Sequence, residues 1–182
     1  KALIDFFEST NGKEWTQTWD LNTPVETWYG VKVFNDQVVE INLFRNNLQG
    51  TIPESISKLK KLRVLNLAFN AIRGELPSKI IKLKSLEVVK VEMNKIKGGL
   101  PEKIGKMKSL VEFTAFNNFL SGAIPESLGN IQGLKILNLS SNDLEGVIPE
   151  SLGNLASLEE TDDHMLRYGF RGRLFLSGML AC

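Results

Sequence analysis

Apolar side chains return at the same offsets five times between residues 37 and 156. In the second copy they are Leu62, Leu65, Leu67, Ile72, Leu76, Ile80 and Leu83, parted by polar or small residues. Three polar and turn-forming markers keep the same step of 24 residues. Asparagine stands at Asn46, Asn70, Asn94, Asn118 and Asn142, glycine at Gly50, Gly74, Gly98, Gly122 and Gly146, and proline at Pro53, Pro77, Pro101, Pro125 and Pro149. Self-similarity at one fixed period predicts a stacked-repeat solenoid of the α/β class, which builds a surface rather than a cleft. The Leu65-x-Leu67 alternation predicts a short strand with one buried face. Each repeat then adds one strand to a parallel sheet, and five strands about 4.8 Å apart give a stack roughly 25 Å long.

The markers have physical work to do at those places. An asparagine just past the strand turns inward, and a column of buried amides can bond the free backbone groups of adjacent turns. The glycine supplies backbone freedom for a bend, and the proline fixes φ before the next segment. That segment opens on Glu54, Glu102, Glu126 or Glu150 in four copies, where a carboxylate favours the start of a short helical or 3-10 turn.

Written through, Leu62 to Pro77 reads LxxLxLxxNxIxGxLP, and Leu134 to Pro149 reads LKILNLSSNDLEGVIP. This resembles the plant-type leucine-rich repeat over five copies, roughly two thirds of the chain. The resemblance implies a curved solenoid with a parallel β-sheet on its concave side and short helical or 3-10 segments on its convex side. It also implies kinship with receptor-kinase ectodomains and polygalacturonase-inhibiting proteins, which bind other molecules and catalyse nothing through these repeats.

Three regions are expected: a cap over residues 1–36, repeats over 37–156, and a degenerate repeat with a C-terminal cap or flexible tail over 157–182. In the cap, Leu3, Ile4, Phe6 and Phe7 give one side of a short helix, followed by Trp15, Trp19 and Trp28. A terminal repeat would leave its core open to water, so a bulky aromatic lid is the expected closure. The segment resembles the ALxxFxxxTNGxxW…WxGV cap of the same family. There the motif usually continues to a paired cysteine, whereas here Val33 follows Trp28-Tyr29-Gly30-Val31-Lys32. At the other end the apolar lattice breaks at Thr161 and Asp163, inside an acidic run from Glu159 to Asp163. Charge on an edge strand opposes further pairing. The basic-aromatic stretch from His164 to Leu176 fits either a fold-back cap or a partner-binding tail.

Composition narrows the function classes. A formal net charge of +1 gives no global pull toward nucleic acid. No run of eighteen apolar residues exists that would span a bilayer. The chain opens on Lys1 with no signal peptide ahead of the first helix, which reads as a fragment or mature form. Cys182 is the only cysteine, so no internal disulfide is available. That favours a reducing compartment, or a lineage outside higher plants, while the resemblance favours an extracellular one, and the location stays open.

One histidine and one cysteine make no transition-metal ligand set. No nucleophile elbow and no phosphate loop occur. No catalytic, cofactor-binding or metal-binding residue is therefore expected. What remains is a display surface. Positions flanking each buried pair form four outward columns up the sheet. They are Glu40/Val64/Val88/Glu112/Ile136, Asn42/Asn66/Lys90/Thr114/Asn138, Phe44/Ala68/Glu92/Phe116/Ser140 and Arg45/Phe69/Met93/Asn117/Ser141. The lattice requires no large apolar residue there, yet Phe44, Phe69, Met93 and Phe116 occupy it. With Arg45, Lys90, Glu92, Glu112 and Asn117 around them, they have the makeup of a protein-binding patch. Mutual shielding by neighbouring aromatics is the plainer reading of the same residues.

Nine lysines from Lys58 to Lys108 gather on the opposite segments of repeats one to three, where they serve solubility or meet an acidic partner or anionic membrane. The function expected is a non-enzymatic interaction module binding a protein or peptide on its concave face, as the recognition domain of a receptor-like protein. A scaffold subunit of a larger complex and an inhibitor of the polygalacturonase type are the rivals. Ice binding through an Asn42/Asn66/Thr114/Asn138 column is a fourth, interrupted by Lys90.

Overall fold

The computed structural model describes residues 1–158 and the backbone of 160–161. Helix α1 (Ala2–Ser9) and two single 3-10 turns (Gly12–Glu14, Val25–Thr27) precede strands β1 (Val31–Phe34) and β2 (Gln37–Asn42). Two strands then alternate with one 3-10 turn per repeat. The strands are β3 (Gln49–Gly50), β4 (Val64–Asn66), β5 (Ala71–Glu75), β6 (Val88–Lys90), β7 (Lys95–Gly98), β8 (Glu112–Thr114), β9 (Phe119–Gly122), β10 (Ile136–Asn138), β11 (Asp143–Leu144) and β12 (Glu160–Thr161).

They form two sheets. Strands β1-β2-β4-β6-β8-β10-β12 make the first, parallel throughout except for the antiparallel β1–β2 pair. Their register keeps the 24-residue step, with Glu40, Val64, Val88, Glu112 and Ile136 side by side. The sheet does not stop at the fifth repeat, because Ile136 and Leu137 pair with Glu160 and Thr161. The second sheet, β11-β9-β7-β5-β3, lies along the flank and has no counterpart in the sequence reading. It arises where residues after the repeat asparagine run extended, as in Ala71-Ile72-Arg73-Gly74-Glu75. Its register steps by 22 residues, as in Arg73 beside Lys95 and Lys97 beside Phe119. Ile72, Ile96 and Leu120 are its inward, fully buried positions.

One continuous apolar core runs between the sheets and the 3-10 turns, built from the lattice positions. Leu62, Leu65, Leu67, Leu83, Leu86, Leu110, Leu128 and Leu134 are all completely buried. The repeat asparagines bound this core. Asn94 Nδ2 donates to the carbonyls of Leu67 (2.9 Å), Val91 (3.0 Å) and Glu92 (3.2 Å). Its Oδ1 accepts from Ile72 N–H at 3.0 Å. Asn70, Asn118 and Asn142 repeat this pattern, each reaching back one repeat and serving its own turn. Asn46 instead ties the stack to the cap, through Gln17 N–H (2.7 Å) and Gln17 O (3.1 Å).

The convex turns stack as tightly. A Cβ on Gly105 would lie 2.0 Å from the Ser127 carbonyl oxygen, so only glycine fits that crossing. Ser127 Oγ donates to Glu102 O at 2.6 Å, and Ser151 Oγ to Glu126 O at 2.8 Å. Glu54 reaches across a repeat. Its carboxylate accepts from Ser78 N–H, Ser78 Oγ and Lys79 N–H at 2.9–3.0 Å, and so caps the start of the neighbouring 3-10 turn. Desolvation opposes ionisation here. The bonds from the Ser78 hydroxyl and the Lys79 and Ser78 amides outweigh it together with the Lys79 charge, and the net pKa lies below its ordinary 4.5.

The cap closes the first repeat with rings. Trp19 stacks on Trp28 at 4.8 Å and meets Trp15 edge-on at 4.8 Å, while Phe7 meets Trp15 edge-on at 5.3 Å. Each indole N–H is spent on a carbonyl, of Thr10, Tyr29 and Thr23 respectively for Trp15, Trp19 and Trp28. Val33, at the position of the expected cysteine, packs half-buried against this core. Gly50, at φ +87°, lets Ser9 O approach to where its Cβ would stand, fastening α1 to the first repeat. The basic-aromatic segment from His164 onward and Cys182 lie outside the described residues.

Two predictions follow from the hydrogen bonds. Asn94→Ala leaves the Ile72 N–H unpaired, at about 1–3 kcal/mol for a buried group, while the carbonyls of Leu67, Val91 and Glu92 keep Asn70, Asn118 and the Phe69 N–H. Urea unfolding should register a loss of about 1–3 kcal/mol, exceeding that of Asn142→Ala, whose side chain is only half-buried. For Glu54, a pKa lowered on folding stabilises fully above 4.5 and ceases to do so as pH falls through the folded value. Glu54→Gln should therefore flatten the fall of stability with pH below 4.5, read from thermal unfolding across that range.

Candidate functional site

The first two columns stand in register on the concave sheet through the pairing of β2, β4, β6, β8 and β10, and the other two continue just past the strand ends. Ala68, Glu92, Thr114 and Ser140 within the four columns are buried rather than outward. The fourth column has a feature absent from the sequence reading. Arg45, Phe69, Met93, Asn117 and Ser141 all adopt left-handed backbone, at φ of 50–57°. Each turns the chain out of its strand, and the N–H of Arg45, Phe69, Met93 and Asn117 donates to the next repeat, to Ala68 O, Glu92 O, Phe116 O and Ser140 O respectively. Asparagine tolerates that conformation, whereas large side chains at positive φ are strained. Repeats one to three nonetheless place Arg, Phe and Met there.

These residues pack into a small exposed ridge. Phe44 and Phe69 meet edge to face at 5.3 Å and 64°. The Arg45 guanidinium lies over both rings, 5.7 Å from Phe44 and 5.0 Å from Phe69. Phe44 remains 44% exposed and Arg45 is exposed beside it, while Phe69 is half-buried. Mutual shielding is thus partial. Farther up, Phe116 and Met93 are half-buried, and Asn117 Nδ2 donates to Met93 Sδ.

The charges sort themselves by pairing. Lys90 Nζ meets Glu112 at 2.7 Å and Lys32 meets Glu40 at 2.8 Å. Glu92 departs from the expected rim position. It is only 8% exposed, and Thr114 Oγ1 donates to it at 2.6 Å, so its charge is turned into the sheet rather than toward a partner. Arg45 makes no salt bridge among the described residues, which leaves its guanidinium edge open.

The structure adds Tyr29, to which sequence reasoning gave no role. It is 47% exposed and, with Gly30, Lys32, Asn42, Phe44 and Asn66, lines a shallow depression of about 550 Å³ at the cap end of the sheet. Gly30, at φ +73°, puts Tyr29 there by crossing within reach of the Asn42 carbonyl. No lattice position signalled it, because the cap lies outside the repeat. Among the described residues no group of three His, Cys, Asp or Glu side chains is placed to hold a metal ion. No helix among them is long and apolar enough to cross a membrane.

Comparison with known proteins fits this architecture. A family model for a leucine-rich repeat region matches residues 42–172. Curated sequences give no match. Among solved structures, a chain of the BIR3–SERK2 complex from Arabidopsis thaliana superposes with a TM-score of 0.79 at 28% identity, covering 96% of this chain and 93% of that one. A pollen receptor kinase 3 gives 0.74 at 30% identity, covering 86% and 77%. The BIR2 ectodomain from Arabidopsis thaliana gives 0.82 at 23% identity, covering 100% and 96%, a likeness of fold. With the 24-residue plant-type lattice intact from Gln37 to Ala156, the chain belongs to the leucine-rich repeat family.

Proposed function

We propose that this chain is a non-enzymatic recognition module of the receptor-like type, and that its concave sheet binds a protein or peptide. The observation that carries the reading is the Phe44/Arg45/Phe69 ridge. Two aromatic rings and a guanidinium without a carboxylate partner among the described residues stand together beside an open depression. Aromatic and arginine side chains of this kind dominate the energetics of protein interfaces. Left-handed strain at Arg45, Phe69 and Met93 adds weight, since strained backbone persists where display is worth its cost. Similarity to a chain of the BIR3–SERK2 complex, itself an assembly of two proteins, supports a partner of protein nature. Met93, Phe116 and Asn117 extend the surface along the sheet, and the Lys90–Glu112 pair sets its polar rim.

The test is capture of partners by the wild-type chain and by a Phe44→Ala/Phe69→Ala/Phe116→Ala variant, followed by affinity measurement with any protein retained. The variant should fold, judged by circular dichroism and thermal unfolding, and bind at least about thirtyfold more weakly, as loss of a central anchor costs about 2 kcal/mol or more. Undiminished affinity in a folded variant would move recognition to another face.

A further inference from the structure

The flanking sheet carries a charge pattern that the lattice does not require. On its outward positions Arg73, Lys95 and Lys97 stand in repeats two and three, and Asp143 and Glu145 in repeat five, all exposed. None of them makes a salt bridge among the described residues. Glu75, beside Lys97 in the sheet, is a carboxylate on the basic side, and it leans over Gly98 without an ion pair among those residues. Between the two signs lies Phe119, 55% exposed. The other copies place Asn47, Ala71, Lys95 and Asp143 at that step, so the fold needs no aromatic there.

The strand register arranges these residues about one point. Lys97 stands beside Phe119, and Asp143 beside Ser121. Leu120, buried between Phe119 and Ser121, marks the middle of β9. From there Lys97 is one strand back and displaced toward the strand start, while Asp143 is one strand onward and displaced equally toward the strand end. Lys95 and Glu145 continue the two rows outward in opposite directions, on the same face because side chains alternate along a strand. A half-turn about the sheet normal at Leu120 therefore carries Lys97 onto the place of Asp143, Lys95 onto that of Glu145, and Phe119 onto that of Ser121.

We infer that this flank is the interface of a two-fold symmetric homodimer, with β7, β9 and β11 of two copies face to face. A closed two-fold contact needs a patch complementary to itself, and this one is. Each Lys97 meets the second copy's Asp143 and each Lys95 its Glu145, every pair being made twice by symmetry. Phe119 of each copy lies over the Ser121 of the other, an aromatic centre within a charged rim. A partner of one charge sign would be drawn to one half of the flank and repelled by the other. The Phe44/Arg45/Phe69 ridge lies outside the contact, in repeats one and two.

Sedimentation velocity of the full chain, run over a range of concentrations, tests this. A monomer–dimer equilibrium is expected, with a dissociation constant on the order of micromolar, as suits three short strands. Raising the salt should weaken it, since the paired charges begin exposed. Lys97→Glu and Asp143→Lys should each weaken self-association at least about tenfold, because like charges then face each other at both symmetric contacts. Mixed in equal amounts, these two variants should dimerise again, since one copy of each restores opposite charges at both contacts. Phe119→Ser should also weaken the dimer at least about tenfold, as loss of a central aromatic does. A chain that stays monomeric well above micromolar concentration, a dimer untouched by Lys97→Glu, or two charge variants that stay apart when mixed would each overturn it.

Discussion

The structure hangs on the column of repeat asparagines. Where each strand leaves the sheet, the chain must turn with its carbonyls pointing into a space that water does not reach. A buried peptide group without a partner costs as much as several apolar contacts gain. One amide per repeat meets that need, donating twice or more to carbonyls of its own and the preceding repeat and accepting from an N–H one turn back. Leucine alone would specify a stack without fixing its rotation. The amide geometry fixes it, because Asn94 can satisfy Leu67, Val91 and Ile72 only when two repeats are in one register.

That fixed rotation determines what the concave face can show. The residue just before each asparagine is the left-handed one, so the ladder and the display column are two parts of a single turn. In repeats four and five that residue is Asn117 or Ser141, in keeping with the conformation. In repeats one to three it is Arg45, Phe69 and Met93, less suited to it. The Phe44–Phe69 contact and the guanidinium above it offset part of that strain. The solenoid is therefore uneven in the side chains it presents while even in its backbone, and the unevenness lies toward the cap.

How much of this the sequence discloses follows from which features are periodic. The lattice gave the concave strands, their register and the inward leucines, because every copy repeats the same demand. The aromatic lid was legible because a terminal repeat must be closed, and three tryptophans beside two phenylalanines leave few alternatives. The flanking sheet was not legible. Its strands are two to five residues long and step by 22 rather than 24, so they sit between the lattice markers. The burial of Glu92 was equally hidden, since only its neighbour Thr114, one repeat away in sequence, turns the carboxylate inward. Tyr29 escaped notice because its exposure depends on the Gly30 crossing, an isolated event outside any repeat.

The same distinction separates the two faces. The Phe44/Arg45/Phe69 ridge lies in repeats one and two and the convex lysines in repeats one to three, and neither set is required by the fold, because later repeats close without them. A solenoid transmits little between opposite faces when each repeat is locked to its neighbours by buried amides and apolar contacts. What the rigid backbone contributes is spacing: one position per repeat at a fixed interval. A folded partner can use that interval as a flat array of anchors. The aromatic ridge, irregular in its chemistry, suits a partner of that kind.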